Sequence, residues 1–141
     1  MHDSAPMEWT DGLLTGIDEI DRQHRILIDT LIAARAALNC PGAGLPFEQI
    51  TRDLLAYAIY HFDTEEQLMQ RHGYGMFDPE LAEWHLAQHR GFSARVVAMR
   101  ADESRGNGEG DAALLAFLEG WLVNHILTTD QSLAQFIHAT Q

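Results

Sequence analysis

Apolar side chains recur along this chain at the three- and four-residue spacing that is typical of amphipathic helices. The first stretch begins at Ile17, repeats through Leu27 and Leu31, and fades at Leu38, just before a Pro- and Gly-containing breaker at 39–44. Three further stretches have the same period, and no segment has the alternating pattern of a strand. They run from Pro46 to about Gly73, from Pro79 to the glycine-rich segment 104–110, and from Asp111 to Ile137.

Four such helices with short connections predict an all-α fold, an up-down-up-down antiparallel four-helix bundle. Pro46 suits the first turn of the second helix, and Asp78 and Pro79 suit the N-cap and first turn of the third. Residues 1–16 are expected to form an extended N-terminal arm, with Trp9 as a packing lid, ahead of the bundle at 17–141. A chain of 141 residues can bury one sizeable core, so 1–141 is predicted to be a single domain.

The composition narrows the classes of function. Asp and Glu number 21 against 9 Lys and Arg, a formal net charge of −12. Such an acidic surface disfavours nucleic acid and anionic membranes. No uninterrupted apolar run approaches the ~20 residues of a transmembrane helix, and the N-terminus lacks the pattern of a signal peptide. The single cysteine, Cys40, can form no internal disulfide, so we expect a cytoplasmic protein without nucleic-acid or membrane partners.

Seven potential metal ligands fall in the apolar stripes of the four predicted helices. Burying five imidazoles and two carboxylates without partners would be unfavourable, and a bound metal offsets that cost. The remaining histidines, His2, His72 and His138, lie outside the stripes and are expected to be solvated or structural. The seven candidates are His24, His61, Glu65, His85, His89, His125 and Asp130.

The number and type of these ligands indicate two bridged metals. Seven exceed the four ligands of a structural zinc site. Imidazole with carboxylate suits Fe, Zn, Cu or Ni, and the set contains no thiolate. The Glu-x-x-His motif of ferritin-like di-iron bundles is absent. A set rich in neutral imidazole favours reversible O2 binding over oxygen activation, and no catalytic residue is predicted.

His125 and Asp130 are five residues apart, which places them about 140° apart on a regular α-helix. Both can reach one centre only if the helix is locally distorted. We expect an i→i+5 widening between them, with Thr128 or Thr129 bonding a freed backbone carbonyl and Leu127 turned away from the metals.

The ordered motifs resemble those of the hemerythrins, specifically the single-domain bacterial hemerythrins, over nearly the whole chain. Any one motif is weak, whereas four in order are specific. They are Ile20-Asp21-Arg22-Gln23-His24 after Trp9 and Gly16-Ile17, His61-Phe62-Asp63-Thr64-Glu65-Glu66 with Met69, His85-Leu86-Ala87-Gln88-His89, and His125-Ile126-Leu127-Thr128-Thr129-Asp130.

The resemblance implies two non-haem irons bridged by an oxo or hydroxo group, with O2 as the ligand. One iron would be held by His85, His89 and His125, and the other by His24 and His61. Glu65 and Asp130 would bridge the two irons, and O2 would bind at the open position of the two-histidine iron. Trp121 and Leu122 stand where the family lines its oxygen pocket, although plain core packing explains these two residues equally well.

Three functions remain open. The first is an O2 carrier or store that serves an unidentified protein recipient. The second is an oxygen or redox sensor, and the third is a di-iron enzyme of peroxidase-like or nitric-oxide-consuming type. The connection from Glu65 to His85 is longer than is usual in the family, and we expect it at one end of the bundle without effect on the ligands.

Overall fold

The computed structural model describes residues 9–104 and 110–140, and the regular elements within these ranges are all helical. The prediction of an all-α fold is therefore confirmed. The helices are α1 (Asp18–Asn39), α2 (Phe47–His72), α3 (Tyr74–Phe77), α4 (Pro79–Ser104), α5 (Asp111–Leu127) and α6 (Thr129–Ala139), preceded by a 3-10 turn at Asp11–Leu13.

The four long helices form a closed ring of contacts. α1 packs against α2, α2 against α4, α4 against α5, and α5 against α1. The short helix α3 packs against α2 and α4 at the connection between them, and α6 packs against α5. This arrangement is a helical bundle, in which the apolar faces of all four helices point to the interior.

Local signals define the helix ends on either side of α3. Gly73 has φ +74°, a left-handed conformation that glycine adopts without steric cost, and it ends α2 as predicted. The Asp78 carboxylate accepts the backbone N–H of Leu81 at 3.0 Å, which is the predicted N-cap of α4. Pro46 was predicted in the first turn of α2, but α2 begins one residue later, at Phe47, so Pro46 directly precedes the helix.

The predicted N-terminal arm lies partly outside the described residues, which begin at residue 9. Within the described part, residues 11–13 form the 3-10 turn, and Leu13 is buried against the core. Trp9 is half-buried, and the guanidinium of Arg25 lies 5.3 Å from the centre of its ring. The indole therefore covers part of α1.

The segment before α1 is held to α6 by side-chain hydrogen bonds. The amide of Gln131 donates to the carbonyl of Leu14 at 3.0 Å, and His138 Nε2 donates to the carbonyl of Thr15 at 2.9 Å. Gly16 is required at this contact, since it has φ +84° and a Cβ there would lie 2.8 Å from His138 Nε2. His138 thus has the structural role that was one of its two predicted roles.

The core consists of two apolar clusters, one on each side of a polar layer in the bundle. The larger cluster includes Leu27, Ile28, Ala58, Phe92, Leu118 and Leu122. The smaller cluster includes Ile20, Leu68, Ala82, Leu133 and Ile137. On α1, α2 and α4, the candidate metal ligands come between residues of one cluster and residues of the other, and the same holds for α5 and α6 taken together.

Within the described ranges, one helical stretch is long and apolar enough to cross a membrane, the segment Asp111–Ala139. From the sequence we expected no such stretch, and by length and composition alone that expectation is wrong. The segment carries His125 and Asp130, which are both almost fully buried. We interpret it as the core helix of the bundle, since such helices share the length and composition of membrane spans.

Shortening a side chain of the larger cluster should destabilise the bundle. Leu54 is fully buried on α2, so Leu54→Ala should lower the free energy of unfolding by about 2–5 kcal/mol. Ile59 on the same helix is 59% exposed, and Ile59→Ala should change it by less than about 0.5 kcal/mol. Urea denaturation followed by circular dichroism measures both, and equal effects would contradict this description of the core.

Candidate metal centre

The seven predicted ligands meet in the polar layer between the two apolar clusters. They come from α1, α2, α4, α5 and α6, and each is at most 3% exposed. His2 lies outside the described residues, and His72 is the last residue of α2. The structure therefore brings together the seven candidates and leaves His72 and His138 apart from them.

The side chains form two groups that share one carboxylate. Within each group the potential ligand atoms lie within 4.8 Å of one another. The first group is Glu65, His85, His89 and His125, which we call the three-histidine group. The second is His24, His61, Glu65 and Asp130, which we call the two-histidine group.

Glu65 offers one carboxylate oxygen to each group. Its Oε1 lies 3.2 Å from Nε2 of His85 and 3.0 Å from Nε2 of His89. Its Oε2 lies 3.2 Å from Nε2 of His61. Because the two oxygens point to different sets of imidazoles, this carboxylate has the orientation of a bridge between two cations.

The two carboxylate oxygens of Asp130 also face different histidine groups. Its Oδ1 lies 3.0 Å from Nε2 of His125 and 3.3 Å from Nε2 of His85, in the three-histidine group. Its Oδ2 lies 2.7 Å from Nε2 of His24, in the two-histidine group. All five imidazoles thus turn Nε2 towards the two carboxylates.

These separations fit metal coordination. Two ligand atoms bound at right angles to one metal, each at about 2.1 Å, lie about 3 Å apart. Several buried atoms that face the centre have no hydrogen-bond partner among the described residues, which is unfavourable unless a cation binds them. These atoms are His61 Nε2, His125 Nε2, Glu65 Oε2 and Asp130 Oδ1.

The pKa shifts of the buried histidines and carboxylates also indicate that positive charge is favoured at this centre. Burial lowers the pKa of His61, but the negative charges of Glu65 and Asp130 close to its ring outweigh burial and raise the pKa to about 10. Burial raises the pKa of Glu65, and the neighbouring histidines, His61 first, bring it well below its ordinary value. Without a metal, protonated imidazoles compensate the carboxylates, and a divalent cation would provide the same compensation.

The second ring nitrogen of His61 is held by a chain of polar side chains. Nδ1 donates to Gln23 Oε1 at 2.7 Å, and Gln23 Nε2 donates to Thr64 Oγ1 at 3.1 Å. An amide oxygen can only accept, so this bond places the proton on Nδ1 and leaves Nε2 free for a metal.

Two other ligands have comparable partners. Gln88 Oε1 accepts from His125 Nδ1 at 2.7 Å and from Thr129 Oγ1 at 2.8 Å. Glu66 Oε2 accepts from His89 Nδ1 at 2.9 Å. These roles of Glu66, Gln88 and Gln23 were not predicted from the sequence. The signal was present, since each of them directly adjoins a ligand in the sequence.

The helix carrying His125 and Asp130 is interrupted between them, as their spacing required. Thr128 has φ −118° and ψ −68°, and it separates α5 from α6. The Thr128 hydroxyl donates to the carbonyl of Asn124 at 2.7 Å, and Leu127 is 46% exposed, turned away from the centre.

The form of the distortion differs from the predicted i→i+5 widening. The backbone bonds at Thr128 are of the i→i+4 type, from Thr128 to Asn124 and from Ser132 to Thr128. The helix therefore breaks at one residue, Thr128, and α6 begins at the next. A break at Thr128 rotates Asp130 to the core as effectively as a bulge would.

The residues predicted to line an oxygen pocket lie beside the centre. The indole of Trp121 stacks on the His125 imidazole, with centroids 4.6 Å apart and planes at 12°, and it contacts Phe62 edge-on. Leu122 is 1% exposed in the larger apolar cluster. The long connection after Glu65 contains α3 and leaves the grouping of the ligands intact.

Comparisons with known proteins agree with this arrangement of ligands. The family described as Hemerythrin HHE cation binding domain matches residues 15–137. The chain is 33% identical to the bacteriohemerythrin of Stenotrophomonas maltophilia, over 96% of this chain and 84% of that protein. It is 31% identical to the bacteriohemerythrin of Pseudomonas paraeruginosa, over 89% of this chain and 78% of that protein.

An animal relative is more distant. The myohemerythrin of Riftia pachyptila is 29% identical over 89% of each chain. No solved structure matched the chain. On the evidence of the family match and of these relatives, the chain belongs to the hemerythrin family.

Proposed function

We propose that this protein binds O2 reversibly at a non-haem di-iron centre and serves in oxygen carriage or storage. One observation carries the proposal. Each of the two carboxylates, Glu65 and Asp130, directs one oxygen to the three-histidine group and the other oxygen to the two-histidine group. A pair of irons bound there would supply the two electrons that reversible O2 binding requires.

The unequal numbers of histidines leave one metal position with fewer protein donors. Three imidazoles and two carboxylate oxygens offer five donors in the three-histidine group. Two imidazoles and two carboxylate oxygens offer four in the two-histidine group. An external ligand would therefore bind on the side of His24 and His61.

The surroundings of His24 and His61 favour a small apolar ligand. Leu27 and Ile28 follow His24 by one helical turn and are fully buried. Ala58 precedes His61 by nearly one turn and is also fully buried. A dry wall of this kind excludes water, and exclusion of water slows loss of a reduced oxygen species from the centre. We assign Trp121 and Leu122 to the same apolar lining.

We further propose the up-down-up-down topology within a single domain at 1–141. The order in which the helices meet the two apolar clusters supports it. α1 runs from Ile20 of the smaller cluster to Leu27 of the larger, and α2 runs in the opposite order, from Ala58 to Leu68. α4 repeats the order of α1, and α5 with α6 repeats that of α2.

We also propose a cytoplasmic location, supported by the single, exposed Cys40.

Sensing is the second candidate, and a surface feature favours it. The helix α3 and its surroundings expose Met76 at 92% and Phe77 at 71%. Large apolar side chains this exposed are typical of contact surfaces. A sensor would change this surface when O2 binds, whereas a carrier would not. Amide hydrogen exchange around α3 with and without O2 separates these two functions.

The test of the main proposal is a metal analysis combined with an optical spectrum. We expect two irons per chain and an absorption band that appears when the reduced protein meets O2 and disappears under vacuum. One metal per chain, zinc as the native ion, or a band that never reverses would refute the proposal.

The two histidine groups should respond differently to loss of one imidazole. His24→Ala should abolish the O2 band, because His24 belongs to the group with the open position. His85→Ala is the matched control, since neither ring has an Nδ1 partner among the described residues, and it should retain a weakened band. The spectra are measured with iron content, and the opposite ranking would place the ligand in the other group.

Loss of a bridging carboxylate should release metal and destabilise the bundle. Glu65→Ala removes a fully buried carboxylate that faces three imidazoles, which should lower the free energy of unfolding by about 3–5 kcal/mol. Loss of metal should lower it further, because metal binding contributes to the free energy of folding. Asp63→Ala, which removes an exposed carboxylate of the same helix, is the control. Two retained irons and an unchanged Tm in Glu65→Ala would exclude the bridging role.

A further inference from the structure

The five imidazoles differ in what binds their second ring nitrogen. His61 and His125 donate from Nδ1 to neutral amides, those of Gln23 and Gln88. His24 and His85 have an Nδ1 without a protein partner in the described ranges. His89 alone among the five donates to a carboxylate that lies outside the centre.

That carboxylate belongs to Glu66. Its Oε2 lies 2.9 Å from His89 Nδ1, and the side chain is 41% exposed, so it lies at the edge of the buried site. Glu66 directly follows the bridging Glu65, and the helical turn of 100° between neighbours directs the two side chains differently. Glu65 faces the centre, while Glu66 reaches the outer side of the His89 ring.

A charged acceptor affects the imidazole more strongly than an amide does. Hydrogen bonds to ionised groups are about twice as strong as neutral ones. A carboxylate draws the Nδ1 proton away from the ring, which raises the electron density at Nε2 and makes it a better donor to a metal. A stronger donor stabilises the higher oxidation state of that metal.

From this asymmetry we infer that Glu66 lowers the reduction potential of the metal in the three-histidine group, acting through His89. The inference rests on the proposed di-iron function and adds a residue that tunes it. Glu66 touches neither O2 nor the metal, so it is a positioning and tuning residue. By stabilising the oxidised metal, it favours electron transfer to a bound oxidant and makes the reduced protein harder to regenerate.

The test is a spectroelectrochemical titration of the iron-loaded protein with one-electron mediators. Glu66→Gln keeps the size and an acceptor oxygen but removes the charge. We expect its midpoint potential to rise. Loss of such a partner typically changes metal affinity or activity by about 10–100-fold. For an effect at the lower end of that range, the ratio of reduced to oxidised iron at fixed potential should rise about tenfold, equivalent to about 59 mV for one electron. Iron content and Tm should stay at the wild-type values.

Two further variants separate tuning from other effects. Asp63→Asn removes a neighbouring exposed charge on α2 that contacts Gln67 and no histidine, and it should leave the potential unchanged. Gln88→Glu gives His125 a carboxylate acceptor, and it should lower the potential. This variant also tests the inference if Glu66→Gln fails to bind iron.

The results that would overturn this inference differ from those that would refute the proposed function. An unchanged potential in an iron-loaded, O2-binding Glu66→Gln would overturn the inference and leave the function intact. Equal shifts in Glu66→Gln and Asp63→Asn would overturn it too, since they would indicate a general effect of surface charge. A wild-type protein without two irons would refute the proposed function instead.

Discussion

Two carboxylates without a solvent-exposed atom lie in the middle of an apolar bundle, and the rest of the structure depends on compensating their charge. Glu65 and Asp130 are both fully buried. Their oxygens face five imidazoles from α1, α2, α4 and α5, so all four long helices must present a donor at the same level. If α1 slid by one turn, Ile20 or Ile28 would take the place of His24 beside the carboxylates, and the uncompensated charge would oppose that register. The polar layer therefore fixes the alignment of the helices more strictly than apolar packing alone would.

Much of this arrangement could be predicted from the sequence because it depends on periodicity. The seven candidate ligands were identifiable as polar residues at positions where the helical period predicts apolar ones. Gly73 and Asp78 marked helix ends because their local chemistry is independent of tertiary context. The distance of five residues between His125 and Asp130 required a distortion, since no regular helix directs both to one point.

The remaining features depend on three-dimensional neighbours, which periodicity does not encode. Gln23, Gln88 and Glu66 each lie 100° around the helix from an adjacent ligand, and their partners come from other helices. The spacing of His125 and Asp130 is compatible with a bulge or a break, and the choice of Thr128 depends on hydrogen bonds formed locally by its hydroxyl. The helix α3 is too short to produce a periodic signal of its own.

The break at Thr128 has a consequence for local unfolding. It separates α6 from α5, while Gln131 and His138 hold α6 to residues 14 and 15 from the other end of the chain. Asp21 of α1 also holds residues 15 and 16, so α6 can open as a unit of its own once its bonds to residues 14 and 15 break, with α1 to α5 still folded. Asp130 belongs to α6, so the opening of α6 would withdraw its carboxylate from both histidine groups at once. The kinetics of metal release would then be governed by the fraying of a short terminal helix, and slow exchange of its amide protons would report how firmly the centre is closed.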